Sequence, residues 1–342
     1  MKKSLMYAAV GCFVVTGSAQ ALDVTLSGQI SRMVVLPDDA EGDEIQFQDI
    51  GWSGSRFRFI GTQDINEAYK LGFRYEVQLQ SNPSFSSTGG GQTNGGNDDF
   101  LDNRIQDIWF SGSFGKIALG KGDGASNGST ESDLSGTALS SSSNHQDNWG
   151  NYRVVAGVDG EPGVTWDSIF TMNDGLSRVN RLRYDTPSFN GFVAAASLGQ
   201  GGATELGLKY KGDLAGIKID GRAFFANADD FADDADIIGF SASALHSSGI
   251  NLTVAYADRD NDTGQDQEAT TVKLGYKRGI HAITVDYGDG ETGDIDADTV
   301  GLTYAATPIS GWEMFATVRQ LDADIGDSDS VDLVALGSRL KF

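Results

Sequence analysis

From Leu22 onward, apolar side chains return at every second position over runs of roughly 8–12 residues, the period of strands that keep one face in an apolar medium. Leu71, Phe73, Tyr75, Val77 and Leu79 alternate with Lys70, Arg74, Glu76, Gln78 and Gln80. Val272, Leu274 and Tyr276 repeat the theme, as do Val300, Leu302 and Tyr304 and the closing Val334, Leu336, Leu340 and Phe342. The pattern predicts sixteen strands, over 23–35, 55–63, 68–81, 103–112, 115–121, 179–186, 190–199, 204–211, 216–227, 236–246, 249–259, 269–277, 281–289, 297–306, 311–322 and 330–342. The fourth has an ambiguous register between Arg104 and Phe110.

The connections alternate in length. Short ones fall near 64–67, 111–114, 186–191, 212–216, 246–249, 277–279 and 306–311; long ones fall at 36–54, 82–102, 122–178, 228–235, 260–268, 290–296 and 323–329, with 200–203 the exception. All five prolines, at 37, 83, 162, 187 and 308, are expected in connections, because proline cannot donate to a sheet ladder. Residues 122–178 stand apart. They show no sustained apolar period, and a connection of that length inside a compact domain implies a loop with a task of its own.

Short turns on one side and long loops on the other are the layout of an up-and-down barrel in a membrane. In lipid a spanning sheet must close on itself, since an open edge would leave backbone groups without partners. The expected fold is therefore all-β: a 16-stranded antiparallel transmembrane β-barrel whose long third loop folds inward. A secreted β-sandwich also has many short strands. Against it, the non-apolar face here is repeatedly charged or rich in glutamine, and the apolar face repeatedly ends in Tyr, Phe or Trp, as interface girdles do.

The first residues read as an export signal rather than as part of the fold. Lys2 and Lys3 precede an apolar stretch from Leu5 to Val15, and Ala19-Gln20-Ala21 is a small-x-small cleavage site. The expected division is a cleaved signal over 1–21 and one barrel domain over 22–342. Cys12 follows only a partial lipobox, so ordinary export is the better reading; the mature chain then lacks cysteine, and with it disulfides and thiolate metal sites. The formal net charge is -23, and loss of both signal lysines makes it -25. Such a chain is a poor partner for nucleic acid, whose phosphates require a basic surface.

Several segments resemble the Gram-negative general porins, trimeric diffusion channels of the outer membrane: SRFRFIGTQDINEAYKLGFRYEVQLQ, FSGSFGKIALGKGDGASNG, RLRYDTPSFNGFVAAASLG and the terminal LGSRLKF. The resemblance spans the mature chain. It implies localisation in the outer membrane, a homotrimer, contact with lipid and lipopolysaccharide, and a C-terminal Phe342 read by the barrel-insertion machinery. It also implies that 122–178 is the constriction loop, although the acidic PEFGGD-type motif of the enteric members is absent.

Transport through such a pore needs a polar lumen of suitable width and field, and no reaction. Residues 122–178 hold eight acids, of which Asp123, Glu131, Asp133 and Asp147 are the candidate constriction acids. Strand parity points Arg56, Arg58, Arg74, Lys116, Arg181 and Arg183 inward as a basic pore wall, and acids opposite bases would set a transverse field. The net acidity predicts cation preference by electrostatic focusing. Further acids crowd the surface loops. Asp258-x-Asp260-x-Asp262 begins like an EF-hand loop, yet Thr263 stands where glycine is required and Ala269 where the closing Glu would be. No firm metal site follows; weak Ca or Mg binding at these acids is the only cofactor expectation. The three histidines, His145, His246 and His281, form no evident nucleophile–base pairing, so the chain is not expected to be an enzyme. A substrate-selective porin with a site on the loop, and a barrel-based adhesin or enzyme, are the alternatives.

Overall fold

The computed structural model describes residues 22–40, 42–82, 84, 101–157, 163–228, 235–326 and 328–342. The signal segment 1–21, the glycine-rich run 89–98, Pro83, Pro162, and the loop acids Glu41, Asp159, Glu161, Asp229, Asp230, Asp233 and Asp234 lie outside these residues.

Sixteen antiparallel strands form one closed sheet. They are β1 (Asp23–Asp38), β2 in two pieces (Gln46–Asp49 and Arg56–Asp64), β3 (Lys70–Leu79), β4 (Leu101–Gly112), β5 (Gly115–Asp123), β6 (Arg178–Asp185), β7 (Phe192–Gly199) and β8 (Thr204–Leu214). The circuit continues through β9 (Ile217–Asn227), β10 (Ala235–His246), β11 (Ile250–Asn261), β12 (Gln267–Arg278), β13 (His281–Thr292), β14 (Ile295–Ile309), β15 (Trp312–Ala323) and β16 (Val331–Lys341).

Closure comes from β1 pairing with β16, in register from Gln29–Lys341 to Asp38–Asp332. The seam ends on Phe342, which exchanges two backbone hydrogen bonds with Gly28 at 2.9 and 3.0 Å. A Cβ on Gly28 would lie 2.6 Å from the Phe342 ring, so glycine is what lets the terminal aromatic lie flat across the seam.

The second strand departs from expectation. Both pieces of β2 pair with β1, but residues 50–55 leave the ladder and turn inward. The Gln29 amide donates to the freed carbonyls of Ser53 and Gly54 at 2.8 and 2.9 Å, which repairs the break. The ambiguous register of β4 is a bulge against Glu76 and Val77, one extra residue that turns both Arg104 and Ile105 inward. Two prolines expected in connections lie in strands. Pro37 is near the end of β1, and Pro308 occupies the irregular stretch between Ala306 and Ile309 of β14, positions where a missing donor is tolerated. The acids near 258–268 and 289–298 sit on strands that continue past the apolar band, so the connection after β13 shrinks to a tight turn at Gly293–Asp294.

The outward face is continuously apolar in mid-barrel: Leu206, Leu252, Leu274, Val285, Leu302, Val318 and Leu336 are all exposed. Tyr276, Tyr304 and Trp312 end this band near the short turns, and Tyr256 and Tyr287 end it on the other side. A charge placed there pays the full cost of lipid. Leu274→Arg, in the middle of the band, should lower the free energy of unfolding in lipid vesicles by about 2–4 kcal/mol, measured by denaturant titration.

Candidate pore constriction

The inner wall of β10–β16 is lined largely by small and hydroxylated residues, and the long loop lies against it over much of residues 129–157 and 163–172, after Ala125 N and Ser126 N donate to Ser197 Oγ of β7 and Glu205 of β8 at 2.9 and 3.1 Å. Backbone donors of the loop meet wall hydroxyls: Ser132 N to Ser241 Oγ at 3.0 Å and Leu134 N to Ser243 Oγ at 2.9 Å. Wall hydroxyls donate in return, Ser241 Oγ to Ser129 O at 2.7 Å and Thr292 Oγ1 to Ile169 O at 2.6 Å. Thr137 Oγ1 and Thr284 Oγ1 are 3.0 Å apart. Each such bond contributes about 0.5–1.5 kcal/mol net. The serine run that read as featureless sequence is thus a strip of short donors and acceptors matched to the wall.

Beside this strip the loop builds an apolar core inside the barrel. Trp166 stacks on Phe170 with centroids 4.4 Å apart, and Trp149, Tyr152, Val154, Ile169 and Met172 join them. Ala255, Ala257, Ala269, Ala297 and Ala335 make room on the wall. The indole N–H of Trp149 donates to Ser140 O and that of Trp166 to Asp322 O, both at 3.1 Å. The inward turn of β2 completes the clamp, where Trp52 N donates to Asn148 Oδ1 at 3.1 Å.

Two buried charge clusters lie where the loop meets the wall, and the first ties loop to wall. Lys273 of β12 binds Asp133 and the carbonyl of Ser141. Arg319 of β15 pairs with Asp286 of β13, and His145 approaches the same carboxylate at 3.7 Å. Burial, with Arg319 and Lys273 adding to it, holds the His145 imidazole well below its ordinary pKa, so it sits there neutral.

The lumen that remains open runs along β2–β6. Glu76 of β3 is shared by three guanidiniums: Arg104 at 3.0 Å, Arg58 at 3.3 Å and Arg56 at 3.5 Å. Asp123, at the root of the loop, is shared by Arg74 at 3.1 Å and Arg178 at 3.2 Å. Lys116 lies lower on this wall, 5.2 Å from the centroid of the Trp109 ring.

Opposite them, Glu131, Asp147 and Asp174 face a cavity of about 660 Å³ whose other side holds Arg104 and Arg178. None of the three acids is in an ion pair among the described residues. Burial and the neighbouring Asp174 push Asp147 up to about 7; burial and Glu131 push Asp174 up to about 7; burial and Asp147 raise Glu131.

The expected site residues therefore divide. Arg56, Arg58, Arg74, Lys116 and Asp123 converge on the open side, and Glu131 and Asp147 face it. Asp133 does not: it is consumed by Lys273 against the far wall. Arg181 is buried in the wall, with Asp107 at 2.7 Å and the carbonyls of Gly120 and Asp123 as partners. Arg183 binds Asp185 at 2.7 Å and caps the Gly124 carbonyl at 2.6 Å, so these two arginines hold the loop root. Arg104, Arg178 and Asp174 complete the site and were not singled out by sequence. Arg104 was hidden by the bulge, whereas Arg178 and Asp174 were visible only as two of the loop's ten charges. Asp258 and Asp260 lie on β11 and Asp262 in the turn beyond it; among the described residues no group of three or more potential ligands is placed to hold a metal.

The model of the Gram-negative porin family matches residues 7–326. The chain belongs to that family. This porin has the fold of the anion-selective porin from Comamonas acidovorans, at 17% identity and a TM-score of 0.64 over 94% of this chain and 100% of the other. It is similar also to Salmonella typhi OmpF in complex with daunomycin, at 13% identity and 0.62 over 93% and 97%. The in-vitro folded trimer form of OmpT, an outer membrane protein of Vibrio cholerae, aligns at 15% identity and 0.59 over 94% and 100%. None of the curated proteins matches the sequence. Family and fold together place the porin in the outer membrane as a channel-type barrel.

The anchoring can be tested without reference to transport. Lys273→Met leaves Asp133 without its cation in a nearly dry site and should cost about 3–5 kcal/mol. The double variant Lys273→Met/Asp133→Leu should recover much of that loss, read as the temperature at which the folded gel band disappears.

Proposed function

We propose that this porin passes small hydrophilic solutes passively through a bore confined to the β2–β6 side of the barrel, and that the narrow level favours anions. The observation that carries the reading is the charge balance of the wall there: five arginines, 56, 58, 74, 104 and 178, share two carboxylates, Glu76 and Asp123, while burial and mutual repulsion favour the protonated forms of the three loop acids opposite, Glu131, Asp147 and Asp174. The expectation of cation preference rested on the net charge of -23. Much of that acid stands elsewhere: Asp38, Asp258, Glu268, Asp289, Asp298, Asp322 and Asp332 lie on the outward or outermost parts of strands. Selectivity follows the field where the solute is dehydrated and closest to the wall, not the total. The likeness to an anion-selective porin agrees with this reading.

The proposal assigns no catalytic residue. It keeps the homotrimer: an OmpT relative has a trimer form, and Arg32, paired with Asp49 at 2.7 Å on the outer face of β1, suits a subunit contact better than lipid. It also keeps lipopolysaccharide at the outward acids, with Ca or Mg bridging weakly there, and Phe342 as the signal for barrel insertion.

Reversal potentials across a planar bilayer with a KCl gradient test the selectivity. The expected sign is that of anion preference, and Arg56→Ser/Arg104→Ser should reduce it several-fold. The pH dependence has a defined direction. Asp147 and Asp174 take up protons as pH falls through about 7, and Glu131 is raised in the same direction by burial and by Asp147, with Arg104, Arg178 and Arg222 facing them and Asp123 nearby. Lowering pH from 8 to 6 removes negative charge from the bore, so anion preference should rise. Cation preference that persists at pH 6 would refute the reading.

A further inference from the structure

The cavity between arginines and loop acids has properties that plain anion passage does not use. Its two sides carry opposite charge. Arg104 shares Glu76 with two other arginines and Arg178 shares Asp123 with Arg74, so each retains attraction for a further carboxylate. Across from them, Glu131, Asp147 and Asp174 come from three separate stretches of the loop and form no ion pair among the described residues, feeling Arg104, Arg178 and Arg222 only at longer range, whereas the wall carboxylates Glu76, Asp107, Asp123, Asp185 and Asp220 are each paired with an arginine. The three acids repel one another, and burial with that repulsion favours their protonated forms. Amide side chains that can donate or accept also line it: Gln78, Asn127, Asn144 and Gln146. A volume of about 660 Å³ is within the usual range for small-ligand sites.

From these observations we infer that the cavity is a binding site for zwitterions, specifically for short peptides with a free ammonium at one end and a free carboxylate at the other. The carboxylate docks on Arg104 and Arg178, where planar guanidiniums suit it. The ammonium docks on Glu131, Asp147 and Asp174 and supplies the direct ion-pair partner that they lack. A simple anion satisfies the arginines and leaves the acids uncompensated. A simple cation meets the acids but also the arginine wall. Only a solute with both charges relieves both sides, and it does so without changing the net charge of the bore. Residence in the cavity would slow each molecule while concentrating it at the narrow level, the behaviour of a substrate-selective channel.

The inference rests on the open bore proposed above, and the experiment separates the two. Single-channel current through the purified porin is recorded at pH 7.5 while triglycine, N-acetyl-triglycine or triglycine amide is added on one side. Triglycine should interrupt the current reversibly, at concentrations at least tenfold below those needed by either singly charged analogue. Asp147→Asn/Asp174→Asn should raise the triglycine concentration required at least fivefold, and so should Arg104→Gln; the wild-type comparison of the three peptides stands even if these variants fail to assemble. If N-acetyl-triglycine matches triglycine, the cavity is an anion site and the inference fails while the channel reading stands. If none of the peptides interrupts an open channel, the inference fails likewise. If folded protein gives no conductance at all, the channel reading itself is overturned.

Discussion

When residues 125–157 and 163–172 fold into the barrel, their backbone N–H and C=O groups leave bulk water, and each must find a partner inside or cost free energy. The structure meets that demand with hydroxyls. Ser241, Ser243, Thr271, Thr284 and Thr292 on the inner wall are short, rotate freely about their last bond, and can either donate or accept. They bind a loop whose own ladder is limited to the short pairing of residues 153–155 with 164–165. A wall of long charged residues would have held the loop away and stayed solvated; a purely apolar wall would have left the backbone unpaired. The position of the loop, and so the position of the bore, depends on this match.

Charge is segregated on the same plan. On the loop side of the lumen the few charges are buried and paired, Lys273 with Asp133 and Arg319 with Asp286. Removing one partner of such a pair leaves a bare charge in a dry site, which is why Lys273 with Asp133 fixes the loop even where the pair contributes little to net stability. On the open side, arginines outnumber their carboxylates and remain partly in water. Much of the remaining acid faces outward beyond the apolar band. A single figure for net charge therefore averages three environments that a solute meets separately.

How much of this was legible in the sequence follows from which physical rules act locally. Strand parity depends on adjacent residues alone, and it placed all sixteen strands and pointed Arg56, Arg58 and Arg74 to the lumen. It failed where the backbone breaks step: at the bulge that turns Arg104 inward, and at residues 50–55, whose departure from β2 is repaired by Gln29 from another strand. Which wall the loop would lie against was not legible, because it is decided by hydroxyls more than a hundred residues away. Asp133 was misplaced for that reason. Its sequence neighbours gave no sign of Lys273, although the outward Val272 and Leu274 imply that Lys273 points inward.

Strand number alone would give a wide, water-filled bore. Here the aromatic core of Trp149, Tyr152, Trp166 and Phe170 occupies lumen space on the β10–β16 side, and the alanines opposite it let that core approach the wall closely. The size of the barrel and the width of the passage are thus set by different residues. Strand pairing and closure at Phe342 determine the first; the volume of the loop core determines the second. A channel built this way can change its passage by substitutions in 125–157 and 163–172 without disturbing the hydrogen-bond ladder of the barrel. The acids that face the arginines ride on the same loop, at 131, 147 and 174, and their spacing from the wall is set by the core behind them. Width and field in the bore are therefore coupled through one packed element, and a change in that core alters both together.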